Sequence, residues 1–181
     1  MLYRKLIRVA EPDLAARLAE RTMLMAYLGG ELPGSLNHAL RDARPLAAGR
    51  PFIGLDRVGA QTYVLSIGAD CAPEVTPDAV LAAVAAWVDA LPANPIAAET
   101  LLRLQTRFAA SRANADKDPR LVYNRLINWL ARRNRYEDYQ LWPVRIAAAK
   151  PDGVSFIMAA IGGPGRIVTG IMEPGNKDGA P

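Results

Sequence analysis

The sequence predicts an α+β domain: an antiparallel sheet, built from a hairpin in the N-terminal half and a three-strand meander near the C-terminus, covered by a layer of four to five helices. Three observations carry that prediction. Apolar residues recur first at helical spacing, then alternate at strand spacing from about residue 51, return to helical spacing from residue 77 and shorten again after Tyr139. Runs of strands are kept apart from runs of helices, whereas a doubly wound parallel sheet would alternate them. The 181 residues, 51% apolar and 22% charged, suit one self-sufficient core. We place that single domain at residues 1–172 and expect 173–181, EPGNKDGAP, to be a flexible tail with nothing to bury.

Taken in order, residues 12 to 28 read as an amphipathic helix. Pro12 sits in a first-turn position, Leu14, Leu18, Met25 and Leu28 share a stripe, and Gly29-Gly30 stops the run. Ser35 is placed to cap a short second helix, SLNHALRDAR, which Pro45 ends. PFIGLDRV and QTYVLSIG, joined through Gly59-Ala60, have the β-branched and aromatic composition of a hairpin. Three helices follow, each with a capping residue before a proline: Thr76-Pro77, Asn94-Pro95 and Asp118-Pro119. Val80, Leu81, Val84, Trp87, Val88 and Leu91 stripe the first of these, and Leu101, Leu104 and Phe108 the second.

After Tyr139, the segments LWPVRIAAA, VSFIMAAIGG and IVTGIM, separated by KPDG and PGR, read as the meander. Within VSFIMAAIGG both alternating sets are apolar: Val154, Phe156 and Met158 on one side, Ile157 and Ile161 on the other. A solvent-facing antiparallel strand would alternate with polar residues, so both faces of this one are expected to be covered, from within or by a second subunit.

Composition also bounds function. One cysteine, Cys71, excludes an internal disulfide framework, and the N-terminus MLYRKLIRVAEPDL has scattered charges in place of a continuous apolar segment. We therefore expect a cytoplasmic protein, and the excess of Arg over Lys, with abundant Ala, Gly and Pro, reads as a GC-rich bacterial genome. The longest uncharged runs are too short and too rich in Gly and Pro to span a bilayer.

Charge is unevenly distributed. Residues 103 to 135 hold nine basic side chains against Asp116 and Asp118, so that +7 there within a total of +4 leaves −3 for the rest. On the helix starting at Pro119, a spacing of 100° per residue puts Val122, Tyr123, Leu126, Ile127, Trp129 and Leu130 on one arc. The opposite arc holds Arg120, Asn124, Arg125, Asn128, Arg132 and Arg135 without a carboxylate. Arg suits carboxylate and phosphate through its planar donor fork. That basic patch, supported by Arg103, Arg107, Arg112 and Lys117, is the candidate partner-binding face, with Trp129 and Trp142 as aromatic anchors. The same residues also admit an ordinary reading. Cations favour a helix C-terminus, Glu99 can pair with Arg103, Glu137 and Asp138 can pair with the terminal arginines, and arginine stems snorkel over apolar surface.

Catalytic signals are thin. His38 is the only histidine, so a multi-histidine metal site is not available from one chain. A Cys71/His38 pair, oriented by Asp70 or Asp42, is the enzyme alternative. The glycines of GGPGR and GGELPG are expected in turns, because phosphate-binding fingerprints need a strand, the glycines and then a helix. No cofactor or metal is indicated. The reading that results is a non-enzymatic binding protein, an oligomeric subunit or adaptor of a bacterial assembly engaging an acidic protein surface through protein–protein interaction or self-association. Nucleic-acid binding through the same face is the alternative, held down by the lack of a zinc-finger, RNA-recognition or basic-zipper signature and by a poor helix-turn-helix match, NADKDP being too long a turn.

Overall fold

The computed structural model describes residues 1–8, 17–59, 61–131 and 135–171. Its sheet consists of β1 (Leu2–Arg8), β2 (Phe52–Arg57), β3 (Thr62–Gly68) and β4 (Arg166–Gly170), in the spatial order β2-β3-β1-β4. All pairings are antiparallel. β2 and β3 form the expected hairpin, with Arg57 opposite Tyr63. β1 lies between β3 and β4, pairing Leu2 with Gly68 on one side and with Gly170 on the other. The protein is α+β, as the segregation of strands and helices predicts.

β1 was not legible as a strand. Its inward residues are Tyr3, Lys5 and Ile7, all buried, while Leu2 and Leu6 sit on the other face. A lysine at an inward position and leucines at outward ones invert the alternation that marks a half-buried strand. Register places Tyr63, Leu65 and Ile67 of β3 and Leu55 of β2 on the face of Tyr3 and Ile7, and all are buried against the helices. The opposite face is open to solvent at Leu2, Arg4, Phe52 and Val168. The sheet is thus covered on one side only among the described residues.

Among the described residues six α-helices form the second layer: α1 (Leu18–Leu28), α2 (Pro77–Ala90), α3 (Ala98–Ala115), α4 (Pro119–Ala131), α5 (Tyr136–Ala147) and α6 (Pro151–Gly162). The start of the first predicted helix lies outside the described residues; its end is as expected, with the Gly29 N–H donating to the Met25 carbonyl at 3.0 Å. Ser35 caps the short helical segment before Pro45, its hydroxyl accepting from the His38 N–H at 3.2 Å. Thr76 accepts from the Ala79 N–H at 3.3 Å, and Asp118 from the Arg120 N–H at 2.8 Å, so both prolines stand at first helical positions. Asn94 does not start α3. Its side-chain amide donates to the Ala90 carbonyl at 2.8 Å, closing the end of α2, and α3 begins at Ala98.

The meander is the main departure. LWPVRIAAA belongs to α5 and VSFIMAAIGG to α6, and IVTGIM alone contributes a strand. Val154, Ile157, Met158 and Ile161, all buried, stand at i, i+3, i+4 and i+7, and Tyr139, Trp142 and Ile146 make the equivalent stripe in α5. An apolar run of this length satisfies both a covered strand and a buried helix, and Pro151 with Asp152 in the first turn decides for the helix. The apolarity of both sides of VSFIMAAIGG is the mark of a central helix. α5 is closed by Gln105 of α3, whose amide donates to the carbonyls of Ile146, Ala147 and Ala149 at 2.9, 3.2 and 3.0 Å, at a helix end where carbonyls lack the regular i+4 partner. The tail expected at 173–181 lies outside the described residues.

Two positions make the packing testable. Gly34 has φ of +88°, and a Cβ there would run into the Tyr27 hydroxyl, which donates to the Pro33 carbonyl at 2.9 Å. Strain at a positive φ costs about 1–3 kcal/mol and a lost hydrogen bond about 1 kcal/mol, so Gly34→Ala is expected to lower stability by roughly 2–4 kcal/mol in chemical denaturation. Lys5 is only 3% exposed; its Nζ donates to the Gly162 carbonyl at 3.4 Å and stands 4.0 Å from Asp89. Burial pushes its pKa below the usual 10.5, and Asp89 offsets part of that shift. Between the lowered pKa and 10.5 the unfolded chain binds more protons than the folded one, so stability rises with pH across that window. Lys5→Met is expected to abolish the rise and to be neutral or stabilising at pH 7, by at most about 1–4 kcal/mol. Urea melts at pH 7 to 10 with the same slope in both proteins would refute this.

Candidate functional site

α4 is the least integrated helix: none of its residues is buried. Its packed side is Val122, Arg125, Leu126 and Trp129, each half-buried, while Tyr123, Ile127 and Leu130 are exposed. The helix is therefore turned by roughly 70° from the orientation that would bury its whole apolar arc, at 100° per residue. Two contacts hold it there. Trp129 packs against Trp142, with ring centroids 5.0 Å apart, and against the edge of Tyr139 at 6.1 Å, and its indole N–H donates to the Arg135 carbonyl at 2.8 Å. Asp116, in the turn before α4, takes Arg125 at 2.9 Å and Arg112 at 3.3 Å. One carboxylate thus serves two guanidiniums, and Arg112 also lies over the Tyr139 ring at 4.9 Å.

This placement opens a cleft of about 950 Å³ between α1, the β2–β3 hairpin, α4 and α5. Arg21 and Thr22 come from α1, Asp56, Arg57 and Tyr63 from the hairpin, and Arg125 and Asn128 from α4, over a floor that includes Leu55 and Trp142. Arg125 Nη1 is committed to Asp116, whereas its Nη2 is buried with no hydrogen-bond acceptor among the described residues.

The predicted face is consequently divided. Arg125 and Asn128 line the cleft, and Arg120 and Asn124 point to solvent elsewhere on α4. Arg135 pairs with Glu137 at 3.3 Å, Arg103 with Glu99 at 2.6 Å, and Lys117 donates to Asn114 at 3.2 Å; Arg107 is exposed on α3. Arg132 lies outside the described residues. The premise that the chain's own acids leave this face unneutralised does not hold for Arg103, Arg112, Arg125 and Arg135. Arg21, Arg57 and Tyr63 were missed because no local pattern distinguishes them: only folding brings residues 21, 57, 63 and 125 together.

For catalysis by Cys71 and His38 the geometry offers nothing. His38 Nδ1 stands 3.5 Å from Asp42 one turn away, Cys71 forms a β-bridge with Ala47, and no hydrogen bond joins them among the described residues.

No family model matches the sequence, and no curated protein matches it. Solved structures do share its fold. The chain is similar over 98% of its length, and 94% of the other's, to the inactive peptidase domain of a Bordetella parapertussis protein described as a zinc protease, with a TM-score of 0.67 and 20% identity. A Bordetella pertussis Tohama I protein of the same description gives 0.68 and 21%, with 95% of this chain and 93% of that one aligned. Pitrilysin gives 0.62 and 18%, but the chain spans only 18% of pitrilysin's length. The chain thus shares its fold with these peptidase chains. This overturns the expectation of a non-enzymatic oligomeric adaptor bound to an acidic surface, and it lends no better support to nucleic-acid binding or to a Cys71/His38 enzyme. α+β architecture of bacterial type stands.

A zinc ion does not fit the described residues. Peptidase zinc takes three protein ligands drawn from His, Cys and carboxylates, and no cluster of three such side chains able to hold a metal occurs among the described residues. No single helix among the described residues is long and apolar enough to cross a membrane.

Asp116 is the brace that this geometry singles out. Asp116→Asn is expected to cost about 1 kcal/mol or less in global stability, since its pairs are partly screened, yet to speed amide exchange selectively in α4. Unchanged protection of residues 119 to 131 would count against the brace.

Proposed function

We propose that the chain is the peptide-holding half of a zinc-peptidase-type enzyme, with the metal supplied by another domain or subunit. The observation that carries this reading is the end-to-end likeness to an inactive peptidase domain in a chain whose described residues hold no metal-ligand cluster. A domain of this fold without ligands contributes to hydrolysis by binding and orienting the peptide, and orientation alone supplies a large part of a catalysed barrier. Its cleft is of the size that ligand sites take, and its lining mixes aromatic, apolar and hydrogen-bonding groups. Tyr123, Ile127 and Leu130 of α4, exposed beside Val144 of α5, give the domain an apolar surface for contact with the metal-bearing half.

Three measurements on the purified chain test the reading: zinc content, turnover of an unstructured fluorogenic peptide, and binding of that peptide by fluorescence anisotropy. Saturable peptide binding with zinc far below one equivalent and no turnover by the chain alone is the expected result. One equivalent of zinc with turnover would make the chain a complete peptidase, and absence of binding up to about 1 mM peptide would remove the peptide-holding role.

A further inference from the structure

A second pocket, of about 550 Å³, lies where α1 and α2 end, and it shares no lining residue with the cleft. Tyr27 from the last turn of α1, Trp87 from the last turn of α2 and Met158 of α6 contribute to its wall, together with Pro33 and Pro95. Its volume is ordinary for a small-ligand site. Among the described residues no charged side chain lines it. The side-chain donors of the wall are turned onto the chain's own carbonyls: the Trp87 indole N–H onto Gly34 at 3.1 Å, the Tyr27 hydroxyl onto Pro33 at 2.9 Å, and the Asn94 amide onto Ala90 at 2.8 Å. The two prolines have no N–H to offer. What stays open is of the opposite kind. Asn94 is exposed, and its Oδ1 accepts no hydrogen bond from the described residues. α2 ends here without a basic residue in its last turn, so the partial negative charge of that helix end is not offset from within the helix. At the end of α1, by contrast, Arg50 already donates to the Gly29 carbonyl at 2.5 Å.

An extended peptide needs donors for its carbonyls, which these side chains direct elsewhere, and an anion needs donors or a positive charge. An organic cation needs ring faces and acceptors. We propose that this pocket binds an organic ammonium group, held against the rings of Tyr27 and Trp87 with Asn94 Oδ1 as its oxygen partner. The inference is independent of the peptide-holding reading. Two sources present such a group, a free quaternary amine and the side chain of a lysine, and the test separates them.

NMR titration of the full chain, following the indole N–H resonance of Trp87, tests it with two matched pairs: choline against its uncharged tert-butyl isostere, and N-acetyl-lysine amide against N-acetyl-norleucine amide. The expected result is that at least one cation binds saturably and about fivefold or more tightly than its neutral match, and which pair shows this identifies the source. Ala90 is exposed at the end of α2, where a cation suits the helix, so Ala90→Lys should fold normally and abolish the binding by placing a charge in the pocket. Ala86→Lys, exposed one turn earlier on α2 and outside the lining, should retain it. Trp87→Leu should bring each cation and its neutral match to equal affinity. Equal binding within both pairs in the unmodified chain overturns the ammonium proposal, as does a Trp87 resonance unmoved by either cation up to about 50 mM. A preference that survives Ala90→Lys overturns the assignment to this pocket.

Discussion

Everything in this fold is hung on a strand at the very start of the chain. β1 supplies the hydrogen-bonding edge for β3 on one side and for β4 on the other, so residues 2–8 join the hairpin to a strand more than 150 residues away in sequence. Backbone N–H and C=O groups at the centre of a sheet have no other partners, and a strand pair alone is marginal in water. The closure of the domain is therefore a long-range event. It also sets the helical layer, because Tyr3 and Ile7 present the apolar face on which the helices pack, and the N-terminal amine donates to the Ala69 carbonyl at 3.0 Å at the end of β3.

α4 shows how a marginally held element can shape a site. It buries no residue, and its position depends on one tryptophan cluster and one shared aspartate. Those contacts turn the helix so that Arg125 and Asn128 face the sheet while Tyr123, Ile127 and Leu130 face outward. Two features result: a cleft wall carrying Arg125 and Asn128, and an uncovered apolar strip. A helix optimised only for its own domain would bury the strip, gaining roughly 25 cal/mol for each Å² removed from water.

The likeness to zinc-peptidase domains and the donor set of this chain are complementary facts. The fold positions a cleft bounded by α1, the hairpin and α4, and folds host many chemistries through the residues placed on them. Here the cleft lining combines guanidiniums, the Asp56 carboxylate, an amide, a hydroxyl, aromatics and leucines, with no metal-ligand cluster among the described residues. The fold thus distributes the basic residues of the sequence between a cleft wall and ion pairs within the chain.

Local rules were enough for much of this architecture. Thr76-Pro77, Asp118-Pro119 and Ser35 acted where their capping chemistry said they would, the hairpin followed from β-branched residues and its turn, and the α+β class followed from segregated periods. These signals depend on neighbours within a few residues, which the sequence displays directly. Tertiary structure decided the rest. It made β1 a central strand despite an inward lysine, turned two apolar segments into helices by packing a helical stripe of each against the core, spent Asn94 on the end of α2, and rotated α4 about its axis. It also gathered Arg21, Arg57 and Arg125 around one cleft and paired several of the arginines that the sequence alone left without acids. The physical reason is the same throughout: burial, register and charge pairing are set by residues distant in the chain, and no periodicity or cap encodes which distant residue will arrive.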